Sequence, residues 1–187
     1  LIYWTWRNCA DVVPKELIYV ATDSNEIQKI CKKYDIQTIY TKKAHLTGTD
    51  RVSEASNYLN TDLLINVQGD EPFIKKKDLR SFINFALKNK KNVTNAYTKL
   101  QNIKKRNNSN IPKLVLSAKN ELLYMSRSSL PGFKEIPRDL KIYKQVCMYG
   151  FPKKILKKLY GINRNKSKLE KIEDIELLRV IENGLIV

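Results

Sequence analysis

The chain has 187 residues, 42% hydrophobic and 29% charged, with 35 Lys+Arg against 19 Asp+Glu for a net charge of +16. A chain of this size buries about 70% of its unfolded surface without cross-links, and the composition reads as globular, not disordered; three Cys and one His exclude a Cys/His zinc module and argue against a disulfide framework. No apolar run approaches the roughly 20 residues of a membrane span, so the expectation is one domain over residues 1–187 with reduced thiols, in the cytoplasm.

Apolar residues at 2, 6, 9 and 12 predict a helix over Leu1 to Val12. Leu17 to Ala21 reads as a short buried strand, ending in Thr22-Asp23-Ser24, which can cap the next helix. That helix carries Ile27, Ile30, Cys31 and Tyr34 at helical spacing. A second strand covers Gln37 to Thr41, followed by a polar loop over Lys42 to Gly48 and a helix from Asp50 to Leu59. Leu63 to Val67 is a third, strongly apolar strand. Leu79, Phe82, Ile83, Ala86 and Leu87 define one face of a further helix, and Val93 to Tyr97 another strand. Gln101 to Asn110 is polar and reads as a loop. Leu114 to Leu116 and Leu122 to Met125 flank Lys119-Asn120 as a hairpin. Ser129 to Arg138, with two prolines and a glycine, reads as a loop, Gln145 to Phe151 as a strand and Lys153 to Tyr160 as a Lys-rich helix. The last helix opens on Ser167-Lys168-Leu169-Glu170, a capping-box pattern, and stops at Asn183-Gly184. Helices alternating with strands predict an α/β fold with a mainly parallel sheet and a β-hairpin insertion. In such folds ligands bind beyond the carboxyl ends of strands.

Three segments in such positions can carry chemistry. Gln68-Gly69-Asp70-Glu71-Pro72 follows the third strand. Gly69 permits close approach of a ligand, and Asp70 is placed to hold Mg²⁺, a hard cation bound by one or two carboxylates plus phosphate oxygens; an ordinary strand-ending turn has the same composition. In His45-Leu46-Thr47-Gly48-Thr49-Asp50-Arg51, Gly48 frees the backbone, Thr49 can cap a helix whose N-terminus attracts anions, and Arg51 can fork onto phosphate or carboxylate. The alternative is a capped helix with a surface Arg and a structural His45. Arg127, at the end of the hairpin, can meet a substrate carboxylate or simply close a turn. Glu170, Glu173 and Asp174 crowd one helix face, as a site or as a solvated acidic surface. The excess of lysines, with a pI near 9.7, is scattered along polar helix faces and shows no specific nucleic-acid motif.

Taken in order, Val20-Ala21-Thr22-Asp23-Ser24, His45-x-x-Gly48-Thr49-Asp50-Arg51, Asn66-Val67-Gln68-Gly69-Asp70-Glu71-Pro72, Tyr124-Met125-Ser126-Arg127-Ser128, Tyr149-Gly150-Phe151 and Leu169-Glu170 through Glu182-Asn183-Gly184 resemble the 3-deoxy-manno-octulosonate (Kdo) cytidylyltransferases. The resemblance spans nearly the whole chain. It implies a Rossmann-like nucleotidyltransferase fold and a Mg²⁺-dependent enzyme that moves CMP from CTP to the anomeric hydroxyl of a 3-deoxy-ulosonic acid, releasing pyrophosphate for lipopolysaccharide or capsule assembly. It further implies Asp70 as metal ligand and catalytic group, Gly48, Thr49, Arg51 and Gln68 around the nucleotide with Arg51 also catalytic, Arg127, Gln145, Tyr149 and Glu170 at the sugar acid, and a homodimer with neither specific nucleic acid nor membrane as partner.

The sequence departs from the family pattern in two ways. An N-terminal strand with its Arg- and Lys-bearing phosphate loop, and a closing Asp-Thr-Pro-Glu-Asp segment, have no counterpart, so the bare chain is expected to have little activity and restoring both flanks to rescue it. A family His corresponds to Gln145 and a family Gln to Leu177, which predicts an acceptor related to Kdo rather than Kdo itself. The reading set against all this is a non-catalytic basic nucleotide- or RNA-binding module on a truncated α/β fold.

Overall fold

The computed structural model describes residues 1–135, 137 and 139–187. Its contacts group into two compact units, residues 1–91 with 147–165 and residues 92–146 with 166–187; each is described by itself.

In the first unit, helix α1 (Ile2–Ala10) buries Thr5 and Trp6. Pro14 then fixes the backbone for a short 3₁₀ turn over Lys15–Leu17. The strand predicted from Leu17 therefore begins later, as β1 (Val20–Thr22), and Leu17 is exposed. Ser24 caps α2 (Asn25–Lys33) by accepting from the Ile27 N–H, as predicted. β2 (Thr38–Tyr40) pairs with β1 in parallel. Trp6, Val20, Cys31 and Ile36 make a core cluster, with Ile2, Tyr3, Ile18 and Ile27 packed on its edge.

Helix α3 (Gly48–Ala55) starts earlier than predicted because Thr47, not Thr49, is its cap: the Thr47 Oγ1 accepts from the Asp50 N–H at 3.1 Å. Strand β3 (Leu63–Val67) matches its predicted span and alternates buried and half-buried residues. Helix α4 (Lys76–Lys88) buries Leu79, Phe82 and Ala86, while Leu87 is exposed.

In the second unit, β4 (Thr94–Lys99) leads to a 3₁₀ turn over Ile103–Asn107 where a loop was predicted. The hairpin is present as β5 (Lys113–Leu116) and β6 (Leu122–Ser126), antiparallel with a register shift at Val115/Leu116. Of the predicted loop over 129–138, positions 136 and 138 lie outside the described residues.

Strand β7 (Tyr143–Pro152) supplies residues to both units. In the second unit it pairs antiparallel with β5, and β4 also pairs with it. In the first unit its later half pairs antiparallel with β3, Leu64 opposite Phe151 and Asn66 opposite Tyr149. The expectation of a mainly parallel sheet is thus corrected: parallel pairing is recorded for β1 with β2, and β7 runs against both β3 and β5. Alternation of helix and strand fixes direction only for strands joined by one crossover. β3 and β7 are far apart in sequence, with β4 and the hairpin between them.

After α5 (Lys153–Leu159) in the first unit, the predicted last helix is two pieces, α6 (Lys168–Glu173) and α7 (Leu178–Glu182), in the second. Asp174 takes a left-handed conformation at φ 49° and ends α6. The Ser167–Glu170 capping box is formed. Among the described residues, no helix is long and apolar enough to cross a membrane.

Candidate active site

The turn after β3 is held from below by α1. Gln68 N–H still donates to Cys147 O at 3.2 Å, prolonging the strand pairing, and Glu71 N–H closes the turn onto Gln68 O at 3.1 Å. Thr5 Oγ1 donates to Gly69 O at 2.9 Å and Asn8 Nδ2 to Pro72 O at 2.7 Å. A Cβ on Gly69 would sit 3.1 Å from Ile2 Cδ1, so the glycine answers to the packing of α1 as well as leaving the turn open. These bonds fix a turn from which Asp70 is exposed and Glu71 half-buried.

Both carboxylates lie near one thiol. Burial is the main reason the Cys147 thiol is pushed up to about 11, and the negative charges of Glu71 and Asp70 add to it. Gln68 Nε2 points at the Tyr149 hydroxyl at 3.5 Å, and Tyr149 is buried against Phe151. Asp70 and Glu71 are hard oxygen donors and suit Mg²⁺. Among the described residues no group of three or more His, Cys, Asp or Glu could enclose a metal; the remaining ligands would be phosphate oxygens and water, which is how Mg²⁺ is ordinarily held.

The segment after β2 forms the neighbouring part of this unit. Gly48 is exposed at the first position of α3, while Thr49 is wholly buried. Arg51 ties the ends of β1 and β2 together: its Nη1 donates to Thr41 Oγ1 at 2.6 Å, and its Nη2 lies 3.2 Å from Asp23. The carboxyl ends of both parallel strands thus meet at one guanidinium, the position expected of a ligand site in an open sheet. Asp50, a member of the motif with no role assigned from the sequence, is buried; its Oδ2 accepts from Thr47 Oγ1 at 2.7 Å and its Oδ1 from Gly161 N–H at 2.9 Å.

His45 has a fully buried side chain. Its Nε2 bonds to Glu54 Oε2, which also accepts from Lys42 N–H at 3.1 Å, and its Nδ1 has no partner among the described residues. Burial pushes the Glu54 carboxyl upward, but the bonds from His45 and Lys42 N–H prevail and hold it below its ordinary 4.5. A depressed carboxylate stabilises the fold above its unfolded pKa and loses that contribution as pH falls through the folded value. Denaturant titrations from neutral pH down to about pH 3 are therefore expected to show a shallower stability loss below 4.5 in Glu54→Gln than in wild type. An unchanged acid limb would exclude this pair as its source.

In the second unit Arg127 is half-buried and heavily engaged. Its Nε donates to Glu173 O at 2.5 Å, Nη1 to Ser109 O at 3.0 Å and Nη2 to Asp174 O at 2.9 Å. It thereby binds the carbonyl end of α6, where a cation is favoured. Gln145 is half-buried on β7, with its backbone N–H on Pro112 O at 3.1 Å. Glu170 is 1% exposed and forms a two-pronged bond with Arg179, Nε to Oε2 at 2.6 Å and Nη2 to Oε1 at 2.8 Å. The acidic face predicted for Glu170, Glu173 and Asp174 is divided: Glu170 is interior, Glu173 bonds to β6, and Asp174 is exposed beside Lys166 at 2.7 Å, whose bond holds its carboxyl low. Leu177 is wholly buried.

A cytidylyltransferase family model matches residues 1–186. The chain is 34% identical over 174 residues to a 3-deoxy-manno-octulosonate cytidylyltransferase of Nitratiruptor sp., covering 89% of this chain and 71% of the relative. A protein of the same name from Rickettsia felis is 38% identical over 176 residues, covering 92% and 68%. In fold, the chain is similar to a solved CMP:2-keto-3-deoxy-manno-octonic acid synthetase complexed with CTP, at a TM-score of 0.87 and 24% identity, covering 99% of this chain and 76% of that one. By the extent of these matches, the chain belongs to the cytidylyltransferase family.

Proposed function

We propose that this chain transfers CMP from CTP to the anomeric hydroxyl of Kdo or a close relative. The acceptor oxygen forms a bond to the α-phosphorus, the bond from that phosphorus to the β-phosphate bridging oxygen breaks, and pyrophosphate leaves. The observation that carries the reading is the exposed Asp70 on a rigid turn at the carboxyl end of β3, in a chain matched along residues 1–186 by the cytidylyltransferase family. The resemblance gives Gly48, Thr49, Arg51 and Gln68 to the nucleotide and Arg127, Gln145, Tyr149 and Glu170 to the sugar acid. The burial of Thr49, Glu170 and Tyr149 favours indirect, shaping roles for those three.

When bound, Mg²⁺ would neutralise phosphate charge and favour departure of pyrophosphate. Asp70, with Glu71 beside it, would hold it. Arg51 contributes fixed positive charge at the ends of β1 and β2, where it can meet a phosphate oxygen. Gln68 orients the Tyr149 hydroxyl. The positioned groups do most of the work in such a transfer. A homodimer in the cytoplasm feeding surface-polysaccharide assembly belongs to the same reading and is supported by the family resemblance.

The test is pyrophosphate release from CTP with Mg²⁺ and a panel of ulosonic acids, using the full-length protein. Acceptor-dependent release is the expected result. A higher kcat/KM for another ulosonic acid than for Kdo would make Gln145 the first residue to exchange, since Leu177 lies in the core. No release with any member of the panel, from a folded protein, would overturn the reading.

A further inference from the structure

Glu173 has a place unlike those of its acidic neighbours. Its Oε1 accepts from Ser126 Oγ at 2.6 Å and its Oε2 from Arg127 N–H at 2.8 Å. Its own backbone oxygen accepts from Arg127 Nε. One residue therefore grips both the main chain and the guanidinium of Arg127. Tyr124 also bonds to this carboxylate; burial first, and then Glu173, raise the tyrosine's pKa.

The far side of the same segment is held by Lys113, which is completely buried. Its Nζ donates to Asn108 O at 2.9 Å and to Arg127 O. Burial lowers the pKa of Lys113, and the charge of Glu173 offsets part of that fall. Glu173 is thus a negative charge felt by a buried ammonium, the acceptor for Ser126 and the anchor of the Arg127 main chain. Removing it strands several polar groups at once, and partly satisfied networks of this kind lose more than one bond's worth of order.

The geometry points to Glu173 as a positioning residue for the acceptor: its carboxylate fixes the Arg127 main chain just past β6, and with it the base from which the guanidinium projects. This rests on the functional reading above, which gives Arg127 to the sugar acid. A positioning error near 1 Å can cost on the order of a hundredfold in rate, so a carboxylate that never touches the substrate can still govern its use.

The experiment compares wild type, Glu173→Ala and Glu173→Gln in the full-length protein, measuring kcat, both KM values and Tm, with and without added formate. Glu173→Ala is expected to raise the acceptor KM about tenfold or more while the CTP KM stays within about twofold. Formate, a carboxylate small enough for the vacated space, is expected to lower the acceptor KM again and to leave wild type without gain. Parallel rises in both KM values with a fallen Tm, or an unchanged acceptor KM, would overturn the inference. Should the Ala variant not fold, Glu173→Gln keeps one acceptor oxygen and the side-chain shape, and carries the same comparison. An active wild type with an unaffected variant sinks this inference alone; a wild type silent with every ulosonic acid sinks the functional reading and this inference with it.

Discussion

Asp70→Asn is expected to reduce Mg²⁺-dependent pyrophosphate release by at least about a hundredfold, the scale of loss when one preorganised charge-stabilising group is removed from a transfer site. The turn itself does not depend on the carboxylate. Gly69 O is held by Thr5, Pro72 O by Asn8, and Glu71 N–H by Gln68 O. Asn at this exposed position should therefore change stability by no more than about 0.5 kcal/mol. Kinetics separate the possibilities: half-saturation by Mg²⁺ should move upward, and excess Mg²⁺ should restore part of the rate. The Cys147 thiol offers an independent readout. Asp70 is one of the charges that raise its pKa, behind burial, so the neutral amide should shift thiol titration slightly downward in a protein that is otherwise intact. Wild-type turnover in Asp70→Asn would remove Asp70 from the metal site. A protein that merely attracts anions would bind CTP as well or better once the negative charge had gone.

The parts of this fold that could be read in the sequence were those decided locally. β3 is a run of apolar residues bounded by polar ones, and its span was predicted without error because nothing distant competes for it. The Ser24 cap, the Ser167–Glu170 capping box and the stop at Gly184, at φ 69°, follow from short-range hydrogen bonding and glycine's tolerance of that backbone angle. Strand direction was not local. β7 runs antiparallel to β3 and β5, a result of where the hairpin returns the chain, which helix-strand alternation does not encode. The break in the last helix was hidden for a related reason. Asp174 is an ordinary helical residue in sequence, but its left-handed turn presents a carbonyl to Arg127 and its carboxylate to Lys166.

At the site, residue type was legible and exposure was not. Asp70 and Arg51 stand at the strand ends where the spacing placed them. Thr49 and Thr47 are both capping residues by type; the choice between them turned on which hydroxyl could reach the Asp50 N–H. Glu173 gave no signal beyond helical spacing, since its partners come from β6 and lie far away in the chain.

Glu170→Gln is expected to destabilise the protein sharply. Glu170 and Arg179 are 1% and 2% exposed and share two charge-assisted bonds. Neutralising one partner breaks a buried charge-assisted pair, which typically costs about 3–5 kcal/mol. For a chain of this size that corresponds to a fall in Tm of roughly 10 °C. Glu170 Oε2 also accepts from Ser167 N–H at 3.1 Å, the return arm of the capping box, so the start of α6 should loosen with it. A double replacement, Glu170→Met with Arg179→Met, removes both charges from the interior. Apolar substitutes for a buried ion pair are often neutral or better, so the double variant should regain most of the lost Tm, short of the capping bond. The same pair of variants separates a shaping role from direct contact with the sugar acid. If Glu170 works by holding α6 against α7, the acceptor KM of the double variant should follow its recovered stability. If its carboxylate reaches the substrate, the acceptor KM should stay high in both variants while Tm returns in the second, and a Glu170→Gln protein of wild-type Tm with a raised acceptor KM would contradict the interior ion pair outright.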